Sequence, residues 1–404
     1  MTTDVTPRTA ARRLIVLAGL SAGGDGITRT LLPLAAAAAP GADALVGLVQ
    51  TAARLPWLLV SLPAGRVVDR RGAGPVLLAG LILKVAGLIA IAAAVLGSYW
   101  WLLALAAVIA VTGEVLFETA TQVSVVHDFD ARDRPRTNST LQAVQVSLGQ
   151  FLGPTVAGLA WQWHAATAVG VAFMAQLGAV RARRSWQVKR GPGVTARPAA
   201  GAPRWSAGMR ALWSSPALRA TTVIGTVSML AYGLWSACFV LYVTGPGGLD
   251  ASGAVFGLLV GCPAIGSLLG SRLFPPLLRR VTAFGGLVAM VLGQVGLFLP
   301  SALGAGVPAV AAGLVVYGLG LAGWSGGVLA YRQAAVPRDV YGQVTGAYRF
   351  VSWGASPVGA LLGAFVVSRA SVSAAMLAGL CLVLVQAPLV AWARSLHTYR
   401  GDEP

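Results

Sequence analysis

Seven charged side chains sit inside long apolar runs of this 404-residue sequence: Asp25, Arg29, Arg54, Lys84, Glu114, Glu118 and Arg349. An ionised group surrounded by hydrocarbon costs a few kcal/mol or more unless it faces water or an opposite charge. Acids and bases at such depth suit proton chemistry. Burial favours a neutral carboxyl, a cationic neighbour favours the carboxylate, and a change of neighbours takes up or releases a proton. Asp25 and Arg29 are four residues apart, on one face of a helix, so they can neutralise each other. Glu114 and Glu118 have the same spacing and repel when both are ionised, so one proton can be shared between them. Asp25, Glu114 and Glu118 are therefore candidate proton-coupling groups, with structural ion pairs, or for Glu118 a gate salt bridge, as the alternative. Arg29, Arg54 and Arg349 are candidate substrate contacts, with structural or gating ion pairs, Lys84 included, as the alternative. Trp57, Tyr232, Trp235 and Trp324 are candidates to line an apolar cavity, with packing or lipid contact as the competing role for each.

Other chemistries find little support. The three cysteines, Cys238, Cys262 and Cys381, lie singly in apolar runs, and the three histidines, His127, His164 and His397, are far apart. Neither set has metal-ligand spacing. No nucleophile–base pair stands out, so neither an enzyme nor a receptor with an appended soluble domain is expected, and no metal or cofactor is called for. The net charge of +17 comes in short clusters between apolar runs rather than as one basic patch, which argues against nucleic acid.

Only a membrane can position such groups in so apolar a chain. The sequence is 56% hydrophobic and 11% charged, where soluble domains carry about 25% charged residues. A crossing helix needs about 20 apolar residues. Twelve segments qualify, near 14–39, 44–68, 76–97, 100–126, 138–161, 165–181, 217–243, 251–273, 281–299, 305–330, 344–367 and 371–393. The links after odd-numbered segments are short or rich in Gly and Pro; those after even-numbered ones carry the charge. Twenty-five basic residues fall on the latter side with the termini, and only Arg369 on the other. By the positive-inside rule both termini are cytoplasmic. The first apolar run has no small-residue cleavage site after it and reads as a retained span. Arginine replaces lysine almost everywhere (Lys84 and Lys189 are the lysines), a bias associated with GC-rich bacterial genomes.

The longest polar stretch, 182–215, divides the spans six and six. The expected organisation is a first bundle at 1–181, a cytoplasmic linker at 182–215 and a second bundle at 216–404. The linker's middle is rich in Pro, Gly and Ala, and its end, WSAGMRALWSSPALR, reads either as a short amphipathic helix on the inner leaflet or as an ordered loop. The halves repeat weakly: QVSLGQFLGPTVAGLA at 145–160 resembles YRFVSWGASPVGALLGA at 348–364, with Pro154 opposite Pro357. Internal repeats of this kind suggest a transporter. Pro56, Pro154 and Pro357 are expected to kink their spans.

The loop after the second segment reads GRVVDRRG, with Gly65, Asp69, Arg70 and Gly72. It is similar to the G-x-x-x-D-R-x-G pattern of the major facilitator superfamily, at the place where that family carries it. RLPWLLVSLPAG before it, ETATQVSVVHDFDARDRPRTNSTLQAVQ with FLGPTVAG, and YRQAAVPRDVYGQVTGAYRFVSWGASPVGALLGA resemble the drug:proton antiporter branch related to macrolide-efflux and enterobactin-exporter proteins. The resemblance covers both halves. It implies an all-α fold of twelve transmembrane helices in two pseudo-symmetric six-helix halves. It also implies a cytoplasmic gate at Gly65, Asp69, Arg70 and Gly72, where small glycines allow close helix approach. An export motif is only partly matched, by Gly149, Gly153, Pro154 and Gly158, with Ala157 departing from it. The second half has no acidic counterpart in GSRLFPPLLRR.

The expected function is export of a small amphipathic molecule, such as a drug, antibiotic or siderophore-like compound, by proton antiport with alternating access. The alternatives on the same fold are a proton-coupled or facilitative importer and a lipid flippase. Expected partners are the substrate, protons and the lipid bilayer, with the protein a monomer in the bacterial cytoplasmic membrane.

Overall fold

The structure is a computed structural model that describes residues 7–129, 134–185, 209–210, 212–213, 215–278, 283–329, 336 and 341–398. Most of the expected linker lies outside them. Among the described residues, the regular elements are all helical.

Apolar length decides most of the elements. The helices are α1 (Pro7–Ala37), α2 (Ala42–Ala52), α3 (Leu55–Leu59), α4 (Ser61–Arg71), α5 (Ala73–Leu96), α6 (Leu102–Asp128), α7 (Arg134–Val144), α8 (Gly153–Trp163) and α9 (Ala165–Ser185). They continue with α10 (Pro216–Thr244), α11 (Gly253–Leu278), α12 (Ala283–Ala302), α13 (Val307–Trp324), α14 (Tyr341–Arg369), α15 (Val372–Leu384) and α16 (Gln386–Thr398). Among the described residues, nine candidate spans are long and apolar enough to cross a membrane. The expected first, second and fifth spans are not among them. The first carries Asp25 and Arg29. The second is divided into α2, α3 and α4, and the fifth into α7, a π-helical turn at Gln145–Leu152, and α8.

The breaks have local causes. Pro56 stands in the first turn of α3, where its missing N–H costs nothing. Pro154 opens α8 directly after the π turn. A proline ring crowds the carbonyl four residues earlier, and a π turn is one way to reroute that bonding. Pro357 instead lies inside the continuous helix α14.

The chain divides into two compact units. The first comprises Met1–Leu45, Ala52–Pro198 and Ser252–Gly261; the second comprises Val46–Thr51, Ala199–Ala251 and Cys262–Pro404. In the first, α1 packs on α8, α9 and the π turn, while α5 packs on α6. Leu14, Leu17, Leu77, Leu81 and Phe117 are among the buried residues of its core. In the second, α10 packs on α14 and α12 on α13, with Ala220, Ile224, Leu287, Val328 and Val390 in one core cluster.

Two close backbone crossings lie beside the buried charges of the first unit. A Cβ on Gly26 would lie on the Gly149 carbonyl, so α1 touches the π turn backbone to backbone. Gly80 and Gly113 stand in the same relation where α5 crosses α6, and a Cβ on Gly113 would come 2.8 Å from the Lys84 backbone nitrogen. Small residues at helix contacts allow this approach.

Candidate functional site

Two ion pairs occupy the middle of the first unit. In the inner pair, Lys84 Nζ donates to Asp25 Oδ2 at 2.6 Å and to Ser21 Oγ at 2.6 Å. It also lies 4.2 Å from the centroid of the Phe117 ring. An ammonium group has three protons, and these three partners give each a destination. The other oxygen of the carboxylate, Asp25 Oδ1, accepts from Gln176 Nε2 at 3.0 Å. Gly24 makes room for this amide, since a Cβ there would meet Gln176 Nε2 at 2.6 Å. The Lys84 side chain is 2% exposed.

The outer pair is looser. Arg29 Nη1 is 3.4 Å from Glu114 Oε1, and Arg29 Nε is 3.4 Å from the Asp25 backbone carbonyl. The Arg29 side chain is 47% exposed, whereas that of Glu114 is 11% exposed. A small pocket joins the pairs, lined by Asp25, Thr28, Arg29, Leu32, Lys84, Ala110, Val111 and Glu114.

The sequence expectations are redistributed by this geometry. Asp25 and Arg29 do share one face of α1, but the carboxylate goes to Lys84 and the guanidinium to Glu114. Glu114 meets Arg29, and Glu118 lies one turn further along α6. Glu118 is less buried and accepts from Gln122 Nε2 at 3.2 Å. Ser21 and Gln176 give no charge signal in the sequence, yet both complete the inner site.

The remaining candidates lie elsewhere. Arg54 caps α3, and Trp57 packs against Ala64, Val111 and Val115. Arg70 is exposed on α4, and the side chain of Asp69 lies outside the described residues. Gly72 ends α4 with a φ of 82°. A Cβ on Gly65, by contrast, would meet nothing within 4 Å among the described residues. Gly153 lies against α1 at Gly23 and Gly26, and Gly158 against Gly253 and Gly257, within the first unit. In the second unit Tyr232 stacks with Trp235 (centroids 5.8 Å apart) and with Tyr317 (6.1 Å), and Trp235 stacks on Phe239 at 4.3 Å. Trp324 packs into two core clusters, and Arg349 sits over the Trp353 ring at 5.4 Å.

The second unit has an uncharged counterpart of the inner site. Ser228 Oγ donates to Gln386 Oε1 at 2.9 Å, Gln386 Nε2 donates to Gln294 Oε1 at 2.8 Å, and Gln294 Nε2 donates to the Ser228 carbonyl at 3.0 Å. All three side chains are buried. Gln294 follows Lys84, and Gln386 follows Gln176, by the same 210 residues. The repeat thus keeps a polar junction of three spans in both halves but puts charge in only one. This register was readable in the sequence, had glutamines within apolar runs been treated as signals.

A family model described as Major Facilitator Superfamily matches residues 14–360. A search of curated proteins found no match. Among solved structures, the chain is similar to a bacterial homologue of the iron transporter ferroportin, with 16% identity, a TM-score of 0.68, and coverage of 96% of this chain and 98% of that one. It is similar to the nucleoside transporter NupG at 12% identity and a TM-score of 0.69, covering 97% and 100%. It is also similar to the E. coli fucose:proton symporter FucP at 16% identity and a TM-score of 0.59, covering 96% and 98%. Likeness at these identities concerns the fold.

Proposed function

The chain belongs to the major facilitator superfamily, as a transporter rather than an enzyme, and on that premise we propose that it exports a small amphipathic molecule in exchange for protons, by alternating access. The proposed setting is the cytoplasmic membrane of a bacterium, with both termini inside. The cargo class is a drug, antibiotic or siderophore-like compound, with the cytoplasmic gate at Gly65, Asp69, Arg70 and Gly72.

The observation that carries this reading is the buried Asp25–Lys84 pair. It is a neutral unit joining the first and third spans in an apolar interior. A proton added to the Asp25 carboxylate makes a neutral carboxyl and cancels the attraction to Lys84. The ammonium then keeps Ser21 and the Phe117 ring but has lost its counter-charge. An uncompensated buried cation is costly, so the protonated state favours a rearrangement that hydrates it. Release of the proton restores the pair. One proton is thereby linked to one change of packing between two spans.

The reading is tested by accumulation of candidate compounds in a pump-deficient host. Dissipating the proton gradient with an uncoupler should raise accumulation of the exported compound. A fall in accumulation would show uptake instead.

A further inference from the structure

We propose that Arg349, steadied by Trp353, is the docking cation for an organic anion, so that the exported molecule carries a carboxylate or a similar acidic group. The proposal rests on the transport reading above and assigns the charge class of its cargo.

The argument begins with a charge that lacks a counter-charge. Arg349 lies inside the candidate span Val344–Arg369 of α14. Its guanidinium sits over the Trp353 ring, 5.4 Å from the centroid, so it is held against a residue one turn further into the span. A ring face steadies a cation but does not neutralise it. Among the described residues Arg349 makes no ion pair and no side-chain hydrogen bond. The acidic residues of the second half are Asp250, Asp339, Asp402 and Glu403, all outside its apolar segments. The cations Arg29 and Lys84 of the first unit, by contrast, each meet a carboxylate.

The neighbours of α14 show which way this charge faces. Helix positions four, seven and eleven residues apart share one stripe, and Arg349, Trp353, Ala360 and Ala364 stand in that relation. A Cβ on Gly47 would run into Ala364, so the far end of the stripe is covered by α2. The exposed apolar residues Val358, Leu361 and Phe365 lie on the opposite side of α14, the side suited to lipid. Arg349 and Trp353 are therefore exposed on a side that protein, not lipid, covers elsewhere. An uncompensated guanidinium at this depth needs water or an anion. A carboxylate can take its N–H donors in pairs, while the apolar body of the ligand lies beside the Trp353 ring. A cationic ligand would be repelled, and a neutral one would leave the charge uncompensated.

The experiment is equilibrium dialysis of the purified full-length chain, without a proton gradient, against three probes of matched shape: 2-naphthoate, neutral 2-naphthamide and the cation 2-naphthylmethylammonium. The expected result is saturable binding of 2-naphthoate, at least about tenfold tighter than that of the other two, since the carboxylate alone makes the charge-assisted contact. Arg349→Gln should remove this preference. Arg349→Lys should keep part of it, because a point charge replaces the bidentate fork. Arg349→Glu should turn the preference toward the ammonium probe, a gain that misfolding cannot produce. Each variant is first shown to elute as a single species. Three results would overturn the proposal: no saturable 2-naphthoate binding in the wild type, equal binding of 2-naphthoate and 2-naphthamide, or a preference that survives Arg349→Gln. Binding of 2-naphthoate through Arg349 in a chain without proton-driven transport would sink only the antiport reading. Proton-driven transport of a compound without an acidic group, unaltered in Arg349→Gln, would sink only this one.

Discussion

Lys84 Nζ lies 2.6 Å from Asp25 Oδ2, joining side chains 59 positions apart in the sequence. The contact ties α5 to α1 where both are buried. Breaking one side leaves the other charge without compensation, at a typical cost of about 3–5 kcal/mol, while removing both is far less harmful. Lys84→Met and Asp25→Asn are each expected to lower the thermal unfolding temperature in detergent. The double variant should recover most of the loss. Additive losses would show that the pair does not act as a unit.

Transport separates the chemical role of Asp25 from its packing role. Asp25→Asn should abolish transport driven by an imposed pH gradient in proteoliposomes while leaving expression intact. Persistence of pH-driven transport in this variant would remove Asp25 from the coupling mechanism.

The uncharged junction of the second unit predicts a different profile. Gln386→Leu removes two buried hydrogen bonds, while Ser228 Oγ keeps Gln294 Oε1 at 3.3 Å, so the loss should be about 1–3 kcal/mol in all. The unfolding temperature should fall, with the pH dependence of transport unchanged because no ionisable group is lost. A shifted pH profile would mean that the two junctions are coupled.

The glycines of the expected gate should separate in the same assay. Gly65→Ala adds a methyl group into open space within a helix and should be neutral or stabilising by up to about 1 kcal/mol. Gly72→Ala forces a residue with a Cβ into a φ of 82° and should destabilise. Unfolding temperatures of the two variants decide the matter, and equal losses at both positions would contradict the geometry.

Close crossings should tolerate least. Gly26→Val would drive a side chain into the Gly149 carbonyl, and Gly113→Val would do so at Gly80. Either variant should reduce the yield of folded protein, measured as monodisperse material after purification. Normal yield from both would mean that these helices can separate without loss.

The sequence by itself determined that this is an all-helical membrane protein of one superfamily. Transfer of apolar side chains out of water depends on composition and run length, which need no partner to be read. It also marked charges that the structure pairs, because Asp25, Lys84 and Glu114 are conspicuous against hydrocarbon. Where its local periodicity was disturbed, the reading blurred: the π turn before Pro154 and the breaks in the second span depend on bonds that a run length does not encode. Partner choice was decided only by tertiary structure. Helical spacing offers Arg29 to Asp25, but the packing of α1 with α9 at Gly24 brings Gln176 to the carboxylate, Lys84 reaches it from α5, and Arg29 faces Glu114. A charge pairs with the nearest opposite charge in space, and in a helical bundle that distance is set by how closely the backbones can approach.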